Sequence, residues 1–190
     1  MTPGGDPGWK FPHRVLGCVR EAQKIDAVEL EDIVFWEDRV DDMEPEDFFK
    51  SFELLKAHQP MVYATLGVMK DAIGDQRAYI GFLRFLYIIW QCLETTDARV
   101  ATQKLTIDDL KRHITDRTQL LIYLGQEKEV SDFDAVMNSR VRDERQASLL
   151  SYICGGVMTE TEIFPVKQVV KWQIVAWFWA VIDTFDEQMP

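Results

Sequence analysis

At 190 residues, 47% hydrophobic and 28% charged, the chain has the composition of one globular domain, not that of a disordered or fibrous protein. A formal net charge of −11 repels phosphate backbones and anionic bilayers, so neither nucleic acid nor a membrane surface is an expected partner. A domain of this size can bury a core without disulfides or structural metal. The cysteines (Cys18, Cys92, Cys154) are scattered, odd in number and without a Cys-x-x-Cys pair, which points to a reducing, cytoplasmic compartment.

Residues 1–8, with two prolines and three glycines, are expected to be a disordered leader, and residues 9–190 a single all-helical domain. No convincing run of alternating polar and apolar residues and no Asn-Gly or Asp-Gly turn breaks the helical pattern. A short first helix is predicted over 12–24, with Val15, Leu16 and Val19 on one face. A second covers about 27–42, where Leu30, Ile33, Val34, Val40 and Met43 fall at helical spacing. Glu44-Pro45-Glu46-Asp47 starts a third, because proline lacks an amide hydrogen that the first turn leaves unused and acids there meet the positive end of the helix dipole. Its inward residues are Phe48, Phe49, Phe52 and Leu55, and it ends near Gln59. Pro60 opens a fourth helix that Gly74 closes.

Asp75 is placed to cap a fifth helix over 76–95 in which Ile80, Leu83, Leu86, Tyr87 and Trp90 nearly encircle the axis, the mark of a centrally buried element. Thr106, with Asp109 three residues on, caps a helix that Gly125 stops. Ser131-Asp-Phe-Asp134 repeats the signal for a helix to Ile153, ended by Gly155-Gly156, and Pro165 opens a last helix to about Glu187. The expected fold is therefore all-α: a compact single-domain bundle of seven or eight helices with an apolar central helix. The two most apolar stretches, 172–185 and 79–93, are interrupted by Gln173, Asp183 and Arg84 and fall short of the about 20 apolar residues that a bilayer crossing requires.

Motifs for helical metalloenzymes are missing: there is no Glu-x-x-His, no His-Glu-x-x-His, no phosphate-binding Gly-x-x-x-x-Gly-Lys, and no calcium-loop spacing among the acids. No metal, cofactor or catalytic residue is therefore assigned. His113, one turn after Asp109 and three residues before Asp116, is the least weak catalytic or ligand-sensing candidate, with Tyr123 nearby, although a polar helix face is the plainer reading. His58 is placed at a helix C-terminus, where the dipole favours it. Cys154 falls at an expected C-terminus, where the dipole disfavours a thiolate. Lys111, Arg112, Arg117, Arg140, Arg142 and Arg145 alternate with acids and read as a charge-mixed solvated face. The last helix carries Trp172, Trp177 and Trp179, which suit a core, with a homo-oligomer interface through the Trp172–Trp179 helix as the second reading.

Charge distribution carries the functional expectation. Residues 26–53 hold twelve acids against Arg39 and Lys50, a net −10, which leaves about −1 for the remaining 162 residues. Glu37, Asp38, Asp41, Asp42, Glu44, Glu46 and Asp47 lie within 11 residues. Like charge so concentrated costs stability through repulsion and attracts a basic surface. The expectation is a non-enzymatic module, such as an inhibitor, immunity factor or adaptor, that docks a basic protein through these acids.

Overall fold

The computed structural model describes residues 27–126, 140–142 and 144–188. They form α1 (Leu30–Asp41), α2 (Pro45–His58), α3 (Pro60–Ile73), α4 (Gln76–Thr96), α5 (Arg99–Thr102), α6 (Ile107–Gln126), α7 (Ala147–Thr159) and α8 (Gln168–Gln188), with no strand among the described residues. The all-α class read from the sequence holds. The leader, the helix predicted over 12–24 and the capping signal at Ser131 lie outside the described residues.

The punctuation of the bundle is local chemistry. Pro45 and Pro60 occupy the first turns of α2 and α3. Gly74 ends α3 in the left-handed conformation (φ 66°), which a side chain would resist. The Asp75 carboxylate then accepts the Ala78 amide at 2.8 Å and starts α4. Thr106 Oγ1 accepts the Asp109 amide at 3.2 Å at the start of α6.

Two helices hold the core. α4 buries an almost continuous set from Ala78 to Leu93, Trp90 included at 2% exposure, and α8 buries one from Ile174 to Ile182. They meet through Phe82, whose ring lies 5.0 Å from Trp177 and 4.9 Å from Phe178. α1 packs on α4 and α7, α6 runs along α8, and α3 touches both α4 and α8. The sequence pattern marks α4 as central; the structure adds α8 as its equal. Trp177 and Trp179 accordingly lie in the core and Trp172 is half-buried.

Several details depart from the sequence reading, one being that α6 is not stopped by Gly125 but passes through it to Gln126. α7 does not stop at Ile153 but continues through Gly155-Gly156 to Thr159. Gly156 sits where α7 crosses α4, and a Cβ there would come within 2.3 Å of the Phe85 ring, so this glycine serves close approach and not helix termination. The long helix expected up to Ile153 is interrupted at 144–146 before α7 begins. α8 starts at Gln168, three residues beyond Pro165. Finally, Phe49 and Ile80, both assigned inward from spacing, are exposed, because Phe48, Phe52, Leu83 and Tyr87 already fill the faces that α2 and α4 turn to the core.

Buried glutamines join the ends of the helices. Gln59, between α2 and α3, donates to the carbonyls of Val100 (2.5 Å) and Gln103 (2.9 Å) and accepts the Leu105 amide (3.1 Å), which fixes the path around α5. Gln146 accepts the Val28 amide (3.0 Å) and donates to Asp186 (3.3 Å). Backbone groups that no helix satisfies are paired in this way.

Candidate functional site

The acidic segment folds into the C-terminal half of α1, the α1–α2 turn and the first turn of α2. Asp38, Asp41, Asp42, Glu44, Glu46 and Asp47 are exposed, and Glu37 is half-buried. Arg84, from α4, lies 3.6 Å from Glu37 and is hydrogen-bonded to Asp41, and the Tyr152 hydroxyl donates to Glu37 at 3.2 Å. Glu37 and Asp41 thus tie α1 to α4 and α7. The Glu37 carboxylate and, first of all, burial push the Tyr152 hydroxyl upward in pKa. Asp38, Asp42, Glu44, Glu46 and Asp47 have no cation within ion-pair distance among the described residues. The seven acids are brought together, but they divide into two structural and five outward-facing members.

The His113 region is built differently from the sequence expectation. His113 is only 5% exposed, and it meets Asp183 and Glu187 of α8 as well as Arg112 of its own helix. Nδ1 lies 3.9 Å from Asp183, and Nε2 lies 3.4 Å from Glu187 and 3.3 Å from Arg112. Asp116 and Tyr123 are exposed and make no hydrogen bond or ion pair with His113, while Asp109 sits 3.6 Å from Arg112. Arg117, expected on a solvated face, packs its guanidinium 4.4 Å above the Trp179 ring, donates from Nε to Asp183 at 2.5 Å and lies 3.3 Å from Glu144. A cation over an aromatic face with two carboxylates on its edges is a partly buried ionic cluster that fastens α6 to α8. Sequence reasoning missed Asp183 and Arg117 because their pairing spans distant helices. The one available signal was an acid inside the apolar last helix.

The protonation tendencies oppose one another. Burial raises the Asp183 carboxyl to about 6, with Arg117 offsetting only part of the effect. Burial lowers the His113 imidazole, helped by the Arg112 and Arg117 cations and resisted by Glu187 and Asp116. Asp183 therefore contributes stability that is present below about pH 4 and lost as pH rises through about 6, whereas His113 contributes stability present above about pH 6.5 and lost on acidification. In a His113→Gln variant only the first effect survives. The difference in melting temperature between variant and wild type should move in favour of the variant between pH 7 and pH 5. A difference that stays constant with pH would show that the ring titrates as it does in water.

His113 faces polar partners supplied within the fold, an arrangement that holds α6 against α8. Of the two cysteines among the described residues, burial pushes Cys92 up to about 12 and Cys154 up to about 11, so neither is a thiolate at neutral pH. Cys154 lies within α7, not at its end. His58 closes α2 as expected at its C-terminus, with Nδ1 2.8 Å from Glu94. Among the described residues no three His, Cys, Asp or Glu side chains are grouped to hold a metal, and no helix is long and apolar enough to cross a membrane. No family model, curated protein or solved structure matches this chain.

Proposed function

We propose that the protein is a non-enzymatic binding module that docks a basic protein through the acidic corner formed by α1 and α2. The observation that carries this reading is the group Asp38, Asp42, Glu44, Glu46 and Asp47, exposed and with no cation within ion-pair distance among the described residues. Their mutual repulsion is relieved when a partner supplies lysine or arginine, and the same field speeds encounter.

Charge reversal at Asp38, Asp42, Glu46 and Asp47 tests it; Glu37 and Asp41 are left intact because Arg84 holds them. Bait protein should retain a basic protein from native lysate at about 50 mM salt and lose most of it at about 500 mM, where exposed charges are screened within a few ångströms. The four-lysine variant should retain none while its melting temperature stays the same or rises. A variant that still captures the same protein, or that unfolds, would show that these acids do not form the docking surface.

A further inference from the structure

The outward face of α1 is not purely acidic. Leu30, Val34 and Phe35 stand 59%, 47% and 55% exposed and line, with Glu31, a shallow groove of about 420 Å³. Helical spacing places Val34 and Phe35 one turn before Asp38, which lies one turn before Asp42, so the apolar patch runs directly into the acidic corner. The opposite face of the same helix, through Ile33, Trp36 and Val40, already packs into the core. α1 is thus apolar on two sides, and among the described residues only one is packed into the core. Large apolar side chains exposed side by side and rimmed by polar groups mark a contact surface.

Resting on the docking reading above, we propose that the partner element received here is an amphipathic basic helix. Its aliphatic or aromatic side chains would lie over Leu30, Val34 and Phe35, with its lysines or arginines against Glu31, Asp38 and Asp42. Charge complementarity selects this occupant. An acidic helical segment would be repelled by the rim, and an uncharged one would leave those carboxylates desolvated and unpaired. Two helices packed along α1 allow anchors spaced i, i+3 or i+4 to meet both the apolar patch and the acids in register.

The probe is a fluorescein-labelled peptide of leucine and lysine, about 18 residues, long enough to form an amphipathic helix. A matched peptide carries serine in place of each leucine. Anisotropy with the full-length protein should show the leucine peptide binding at least about tenfold more tightly than the serine peptide, and a V34S/F35S variant losing at least about tenfold in affinity. A D38K/D42K variant should lose as much, whereas L54S and V68S, at exposed apolar positions on α2 and α3, should bind like wild type. All four sites are surface positions, and thermal melts check that each variant is folded.

If V34S/F35S binds as wild type while D38K/D42K does not, the acidic corner still docks cations but the amphipathic partner is wrong. If neither variant changes binding, both readings fall. If the wild type binds neither peptide but a variant with R14E and R20E, which removes two of the cations that precede α1 in the sequence, does, a segment of this chain competes for the face, which overturns the external partner.

Discussion

Truncation of Trp90 to alanine should cost about 3–5 kcal/mol, read from urea denaturation with an unchanged m-value. The indole is among the largest groups of the core, 2% exposed, with Tyr87 edge-on at 6.2 Å and His58 edge-on at 6.0 Å. Its Nε1–H has no acceptor among the described residues, so truncation removes packing and opens a cavity without orphaning a partner. That relief of an unsatisfied donor draws the expected value toward the lower end of the range. A cost under about 1 kcal/mol would mean that α4 is not the buried helix described here.

Replacement of Arg117 by alanine should be as damaging at neutral pH, about 3–5 kcal/mol, because it strips the cation from a carboxylate that is 8% exposed. The loss should shrink at pH 5. Asp183 is already raised to about 6, so most of it is neutral there and an absent cation matters less. A double variant, R117M/D183L, separates the pair from its parts: exchanging both charges for apolar groups should restore most of the stability. Equal losses at pH 7 and pH 5, together with no recovery in the double variant, would assign the effect to packing of the guanidinium on Trp179 instead.

Legibility of the fold in the sequence followed the range of the interactions. Caps and stops written in neighbouring residues, such as Pro45, Pro60, Gly74 with Asp75, and Thr106 with Asp109, appear where the spacing predicts them, since each acts within one turn. Glycine at the α7 crossing misled because its purpose lies in Phe85, far along the chain. Phe49 and Ile80 misled because periodicity counts apolar positions without knowing how many the neighbouring helices can cover. The acidic corner was visible as a run of charge, but not the capture of Glu37 and Asp41 by Arg84, which depends on how α1 crosses α4. The ionic cluster at His113 was the least accessible, because four of its members, Arg112, Arg117, Asp183 and Glu187, meet only once α6 lies against α8.

The meeting of α4 with α8 also sets the order in which the chain can mature. Phe82 finds Trp177 and Phe178 only after about 95 further residues have been made, and until then that face of α4 lacks its cover although α1 and α3 can already pack on the helix. Contacts so distant in sequence slow closure of the core, and the nascent chain exposes an aggregation-prone apolar helix throughout that interval. Closure of the core therefore waits on α8, and aggregation competes with it until that helix arrives.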